Sequence, residues 1–154
     1  MQITEMTPAY AAELTGWRYP APYECYDLTG ADPAVLADPA SGFFALTDET
    51  GLIGFRSFGP DGQVPGGAYD DSALDTGGGL RPGLTGRGLG RAAIATGLEF
   101  GQRRFRPAAF RVTIATFNVR ARRVVTALGF RPAGTFLSAP DGREFEILTR
   151  PAGT

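Results

Sequence analysis

The stretch at residues 80–91 reads Leu-Arg-Pro-Gly-Leu-Thr-Gly-Arg-Gly-Leu-Gly-Arg. Glycines alternate near its end, as Gly86, Gly88 and Gly90, which lets a backbone turn tightly and bring its N–H groups against a ligand. A helix-forming segment follows and adds its unpaired first-turn N–H groups and the positive end of its dipole. Because a strand-like segment precedes the loop, the stretch predicts a strand–loop–helix unit that holds phosphate.

Other glycine-rich phosphate loops do not match this stretch. A Walker A loop requires a lysine, and the chain has none. A dinucleotide fingerprint has Gly-x-Gly-x-x-Gly with an acidic residue about 20 positions further on. Here the spacing is Gly-x-Gly-x-Gly, and residues 106–110 hold no acid. On the glycines alone, a tight strand-to-helix turn without a ligand remains an alternative.

Length and composition predict a soluble globular protein. A chain of 154 residues with 43% apolar side chains is expected to form one domain over residues 1–154. The net charge of −1 gives no overall field for nucleic acid or an anionic membrane, so neither is an expected partner. The first residues lack the basic and apolar regions of a secretory signal, and no apolar run is long enough to span a bilayer. A cytoplasmic location is therefore expected.

Two residue types are absent, and their absence excludes several catalytic mechanisms and metal sites. The chain has no histidine and no lysine, which excludes imidazole bases, Ser-His-Asp triads, histidine-bound metals and lysine Schiff bases. A general base must then be Asp, Glu, Tyr, Cys25, the N-terminal amine, or water held by such groups. The single cysteine also excludes an internal disulfide and a cysteine-rich metal site, so no bound metal is expected. Cys25 itself is expected to be a small buried residue.

Periodicity and turn signals predict strands and helices in the order β-α-α-β-β-β-α-β-α-β-β. Helix 89–105 is expected to turn Ile94, Leu98, Gly101 and Phe105 inward. The predicted segments are a strand from residue 3, helices 8–14 and 33–38, strands 43–47, 52–58 and 73–80, helix 89–105, strand 110–116, helix 118–128, and strands 130–137 and 143–149.

Two motifs in this order resemble the GNAT superfamily of N-acetyltransferases. Leu80-Arg81-Pro82 followed by Thr85-Gly86-Arg87-Gly88-Leu89-Gly90 resembles the family's motif A, and Asn118-x-x-Ala121 with Leu128-Gly129-Phe130 resembles a second element at the usual separation. The resemblance extends over nearly the whole chain. It implies an α/β fold with a mixed, mostly antiparallel sheet of about seven strands, about four flanking helices, and two central strands that splay apart.

The same resemblance implies an acetyl-CoA-dependent N-acetyltransferase (EC 2.3.1.-) in which an amine attacks the thioester directly. Backbone N–H groups of residues 85–91 would hold the pyrophosphate, the strand ending at Leu80 would pair with the pantetheine arm, and Asn118 would bond to that arm. A backbone N–H near Gly79 or Leu80 would stabilise the oxyanion. The cofactor-binding residues so implied are Leu80, Pro82, Thr85, Gly86, Arg87, Gly88, Leu89, Gly90, Arg91 and Asn118.

Two positions depart from the family pattern. Thr85 replaces the usual Gln or Arg, a mild change because the backbone does most of the binding. Val125 stands where many members have a tyrosine that protonates the departing thiolate. The free thiol of CoA has a pKa near the ~8.5 of cysteine, so water or another tyrosine can suffice. An acyl-CoA-binding pseudoenzyme or sensor is the alternative hypothesis.

The general base and the acceptor site have weaker sequence support. Asp75, on the strand that enters motif A, is the predicted base; its alternative is a structural carboxylate beside the solvated Asp70 and Asp71. Glu24 and Asp27 are weaker alternatives, which could bind the acceptor instead. The loop 17–27 and Phe136 are expected to surround the acceptor, a small-molecule amine or a peptide or protein N-terminus, with core packing of the rings as the alternative. A homodimer is a further possibility. The predicted acceptor residues are Tyr23, Glu24, Tyr26 and Asp27.

Overall fold

The computed structural model describes residues 1–153, and its elements follow the predicted order. The seven strands are β1 (Gln2–Glu5), β2 (Phe43–Asp48), β3 (Gly51–Phe58), β4 (Leu74–Leu80), β5 (Ala109–Ala115), β6 (Arg131–Leu137) and β7 (Glu144–Pro151). The four α-helices are α1 (Pro8–Thr15), α2 (Pro33–Leu36), α3 (Gly90–Phe105) and α4 (Val119–Ala127).

The strands are hydrogen-bonded in the order β1-β2-β3-β4-β5-β7-β6. Strand β1 pairs with β2, β5 with β7, and β6 with β7, each antiparallel. Strands β4 and β5 are parallel, with Leu74 opposite Phe110 and Asp75 opposite Arg111. The predicted mixed and mostly antiparallel sheet is confirmed. The splaying of the two central strands stays a prediction.

The chain divides into two compact units. The first consists of residues 1–56 and 78–97 and contains the glycine loop. One of its apolar clusters joins α1 and α2 to β2 and β3, and a second joins Leu46 and Ile53 to Ala93 of α3. Trp17 belongs to the first cluster at 9% exposure, so the expectation that it faces the acceptor is wrong.

The short helices of the first unit begin at capping residues that the sequence supplies. Thr7 accepts a hydrogen bond from Tyr10 N (3.1 Å) ahead of Pro8, and Asp32 accepts one from Ala34 N (2.9 Å) ahead of Pro33. Each cap satisfies a first-turn N–H while the proline, which has no N–H, occupies the position where none is needed. These caps fix where α1 and α2 begin.

The second unit consists of residues 57–77 and those from Leu98 onward. Gly101 of α3 lies where a Cβ would come 2.7 Å from the Phe58 ring and 3.0 Å from the Phe110 ring, so the helix approaches its neighbours closely there. Phe105 is 40% exposed, which corrects the predicted inward stripe at its last position. The buried apolar side chains of this unit are Phe58, Leu98, Phe110, Val112, Ile114, Ala115, Val125, Phe130 and Leu148.

None of the helices within residues 1–153 is long and apolar enough to cross a membrane. In the same residues, no three His, Cys, Asp or Glu side chains come together as a metal-binding group.

Candidate functional site

The glycine loop links the end of β4 to the start of α3. Arg81 N donates to Ile53 O (2.8 Å), which holds the end of β4 against β3. A single 3-10 turn follows at Pro82–Leu84, and Thr85 Oγ1 donates to Pro82 O (2.9 Å) at its end. The loop therefore starts from a fixed backbone position and leads directly into the first turn of a 16-residue helix.

The loop leaves open space where its glycines lie. Gly86 and Gly88 have φ of +74° and +79°, a left-handed conformation that side chains with a Cβ rarely adopt. A Cβ built on Gly88 or on Gly90 meets no atom within 4 Å. The absence of side chains there leaves an exposed backbone surface ahead of the helix, where unpaired N–H groups and the helix dipole favour an anion. These residues fit the diphosphate of acetyl-CoA.

Strand β4 carries three consecutive glycines just before this loop, and other groups of the chain lie close to its backbone there. A Cβ on Gly79 would come 3.1 Å from Tyr19 Oη and 3.2 Å from the Phe55 ring, so a tyrosine hydroxyl reaches the strand where a side chain would otherwise stand. Gly77, Gly78 and Gly79 thus allow groups of the chain itself to approach the backbone closely, and the pairing of this strand with a ligand stays a prediction.

Tyr19 ties the loop between α1 and α2 to the end of β4. Its hydroxyl donates to Leu80 O at 2.5 Å, and its backbone N donates to Asp27 Oδ1 at 2.9 Å. Burial raises the pKa of the Tyr19 phenol to about 12, and the charge of Asp27 acts in the same direction. The hydroxyl therefore keeps its proton at neutral pH and acts as a hydrogen-bond donor.

The predicted acceptor residues lie on this same loop. Tyr23–Tyr26 forms a 3-10 turn in which the Tyr23 and Tyr26 rings stack at 6.5 Å between centroids, and both are half-buried. Glu24 is exposed. Cys25 is also exposed, so its predicted burial is wrong. Asp27 is engaged by the Tyr19 backbone and closes the loop.

The predicted base, Asp75, lies in the second unit and is 4% exposed. Arg111 binds its two oxygens, with Nε–Oδ1 at 2.7 Å and Nη2–Oδ2 at 2.8 Å, and Gln63 Nε2 donates to Oδ2 at 3.0 Å. A carboxylate offers about four acceptor sites, and three are used here. This geometry supports the structural alternative over the catalytic one, and the base role of Asp75 stays a prediction.

Arg111 organises the acidic residues that the sequence places together. Its Nη1 lies 3.2 Å from Asp70 Oδ1, and its guanidinium lies over the Tyr69 ring at 5.1 Å. Hydrogen bonding to Asp75 raises the pKa of Arg111 above its ordinary value. The cation that pairs with Asp70 and Asp75 is thus Arg111 of the same chain.

Two further predicted positions lie in or beside α4. Asn118 caps that helix, with its Oδ1 accepting from Ala121 N at 3.1 Å, and its binding to the pantetheine arm stays a prediction. Val125 is 2% exposed, so a tyrosine at this position would have to displace packed neighbours.

Sequence reasoning did not find the partners of Asp75 and Tyr19. Arg111 stands opposite Asp75 in the parallel pair of β4 and β5, and Leu80 is 61 residues from Tyr19. Both contacts depend on strand register and on the path of a loop, which local patterns do not encode. Arg111 offered one signal, a charged side chain between the apolar Phe110 and Val112 of a strand.

The sequence matches the model of the Acetyltransferase (GNAT) family over residues 6–130. The chain therefore belongs to the GNAT family of acetyltransferases, whose members use acetyl-CoA. A search of the curated proteins finds no match.

Solved structures show the same fold at low sequence identity. A chimera of the Vibrio cholerae spermidine N-acetyltransferase SpeG with hSSAT has a TM-score of 0.73 at 15% identity and covers 97% of this chain and 94% of its own. A SpeG mutant from Vibrio cholerae has a TM-score of 0.70 at 14% identity, covering 98% and 95%. The yncA protein of Salmonella typhimurium, solved with its cofactor acetyl-CoA, has a TM-score of 0.69 at 15% identity, covering 99% and 94%.

Tyr19→Phe is expected to lower the free energy of unfolding at pH 8 by about 1 kcal/mol, because one partly buried hydrogen bond to Leu80 O is lost. The folded-state pKa of Tyr19 lies above its unfolded value, so this contribution is present below pH 10 and is lost as pH rises towards 12. Denaturant unfolding of both proteins at pH 8 and pH 11 measures this. A difference between them that does not shrink at pH 11 contradicts the assignment.

Proposed function

We propose that this protein transfers an acetyl group from acetyl-CoA to a primary amine of a small molecule or of a peptide or protein N-terminus. The amine nitrogen bonds to the thioester carbonyl carbon, and the bond from that carbon to sulfur breaks. The amine loses one proton, and the departing sulfur takes one up to form the thiol of coenzyme A. The transfer is proposed to be direct, without a covalent enzyme intermediate.

The observation that carries this proposal is the open glycine loop between the end of β4 and the first turn of α3. The backbone N–H groups of residues 86–91 are proposed to bind the pyrophosphate, with Arg87 and Arg91 adding positive charge from the exposed side of the loop. Thr85, whose N–H donates to Pro82 O at 3.3 Å, is proposed to shape the start of the loop. Leu80 and Pro82 set the end of the strand that the pantetheine arm would follow, and Asn118 is proposed to bind the arm.

The distribution of charge along the chain supports a cationic acceptor and an anionic donor. Residues 1–40 contain six acidic side chains and one arginine, whereas residues 76–154 contain thirteen of the fifteen arginines. Fields of one sign attract ligands of the other sign. The acceptor loop belongs to the acidic segment, so Glu24 and Asp27 are proposed to attract the protonated amine, and the Tyr23 and Tyr26 rings to pack against it.

The attacking amine must first lose its proton. Glu24 is exposed on the acceptor loop, whereas Asp75 is held by Arg111 and Gln63. We therefore propose Glu24, acting directly or through water, ahead of Asp75. Tyr19 is proposed to keep the loop at the end of β4 while the reaction takes place.

Acetyl-CoA at a hundredfold excess over its dissociation constant is expected to raise the free energy of unfolding by about 2.7 kcal/mol, because it binds the folded state alone. Thermal unfolding with and without the ligand measures this, and thiol release against a panel of amines measures turnover. An absence of any shift with millimolar acetyl-CoA, CoA or a longer acyl-CoA contradicts the proposal. A shift without turnover on any amine supports the sensor hypothesis instead.

A further inference from the structure

Arg56 of β3 is a buried cation that the proposed reaction does not use. The residue is 5% exposed, and its Nε has no hydrogen-bond partner. It has no ion pair with any carboxylate in the described part of the chain. Burying a charge without an opposite charge beside it costs stability, which is why buried arginines are normally found in ion pairs.

Two glycines of the first unit make room for this side chain. A Cβ on Gly78 of β4 would come 2.6 Å from Arg56 Nη1, and a Cβ on Gly97 of α3 would come 2.9 Å from Arg56 Nε. The guanidinium thus occupies the space between strand β4 and helix α3 that side chains at these two positions would otherwise fill. Its position is fixed by contact on both sides.

Arg56 keeps its charge in this setting. Burial lowers its pKa to about 10, and no neighbouring acid acts in the opposite direction. At neutral pH the side chain is therefore a full positive charge in a medium of low dielectric, where its field extends further than that of a solvated arginine.

The Arg56 guanidinium lies beside β4 and α3, the two elements that the glycine loop connects. Gly78 precedes Leu80 by two residues, about 7 Å along a strand, and Gly97 follows Gly90 by seven residues, about 10 Å along a helix. We propose that Arg56 is a buried counter-charge for the anionic co-substrate, its positive field favouring the diphosphate that binds at the glycine loop. This inference rests on the proposed function, since it requires acetyl-CoA or CoA as the ligand.

Removing the charge of Arg56 is expected to raise the stability of the ligand-free protein and to lower its affinity for CoA. Arg56→Met keeps an unbranched apolar side chain and removes the charge. The melting temperature without ligand is expected to rise by roughly 2–4 °C, because the cost of the buried charge is removed. The affinity for CoA, measured by titration calorimetry, is expected to fall by about tenfold, because a buried charge acts on a diphosphate over roughly 10–15 Å.

Salt separates this effect from that of the exposed arginines. Arg91→Met is the matched control, because Arg91 is exposed beside the loop. Its loss of affinity is expected at low salt and largely absent at 0.5 M NaCl, since solvated charges are screened. The loss caused by Arg56→Met is expected to persist at 0.5 M NaCl. Arg56→Lys, which keeps the charge, is expected to bind CoA within about threefold of the wild type.

The outcomes distinguish the inference from the proposed function. If the wild type binds no CoA or acetyl-CoA, the proposed function fails and this inference fails with it. If the wild type binds but Arg56→Met binds equally well, or loses affinity only at low salt, the counter-charge role alone is wrong. A lower melting temperature for Arg56→Met also contradicts it and indicates a packing role. If Arg56→Met does not fold, the CoA affinities of Arg56→Gln and Arg56→Lys are compared instead, because only the lysine variant keeps the positive charge.

Discussion

Gly90→Val is expected to lower the affinity for acetyl-CoA by about 10²–10⁴-fold while leaving the fold intact. Gly90 begins α3, and a Cβ there meets no atom of the chain within 4 Å. The branched valine side chain would occupy the space that the pyrophosphate needs and would displace the pyrophosphate from the helix N-terminus. Loss of two charge-assisted hydrogen bonds, at about 1.5–3 kcal/mol each, gives the expected range. Titration calorimetry measures the affinity, and thermal unfolding without ligand checks the fold.

Gly83→Val is the matched control for this change. Gly83 lies in the 3-10 turn before the loop, is exposed, and also has no atom within 4 Å of a Cβ. Gly88→Val is a less clean probe, since the φ of +79° at Gly88 adds backbone strain to any effect on binding. If Gly90→Val binds acetyl-CoA like the Gly83 variant, the phosphate site lies elsewhere.

The fold could be predicted from the sequence because its signals are local. Thr7-Pro8 and Asp32-Pro33 mark helix starts, alternation marks the strands, and the glycine motif fixes the position of α3. All seven strands and four helices follow in the predicted order. The boundaries moved by only a residue or two where a helix or strand frays into a turn.

The site was less predictable because its contacts join distant residues. The glycine loop is contiguous in sequence, so its conformation could be anticipated from the glycines alone. Trp17 could not be separated from the tyrosines that follow it, since an aromatic ring suits both a core and a ligand site. Arg56 could not be singled out either, because burial of a charge depends on glycines 22 and 41 residues away.

Asp75→Asn is expected to lower the free energy of unfolding by about 3 kcal/mol or more. Asp75 and Arg111 pair with both side chains 5% exposed, and removing one partner leaves the other charge buried. Breaking a buried pair in this way typically costs about 3–5 kcal/mol. Asp70, the other acidic partner of Arg111, is 74% exposed and compensates only in part. Denaturant unfolding monitored by circular dichroism measures the change.

The double variant Asp75→Leu with Arg111→Met separates structure from catalysis. Replacing both charges by apolar side chains is often neutral or stabilising, so this variant is expected to recover most of the lost stability. If Asp75 is structural, turnover should recover with it. If Asp75 is the general base, turnover should stay about 10²–10⁴-fold below that of the wild type although the protein is folded.

The geometry favours recovery of turnover. A general base must accept a proton and release it again, and a carboxylate that takes one up here would lose its charge balance with Arg111. Arg111 would then be left as a second buried cation without a full counter-charge, in addition to Arg56. Glu24 meets no such cost because solvent reaches it. A folded double variant that stays inactive would reverse this assignment and make Asp75 the base despite its ion pair.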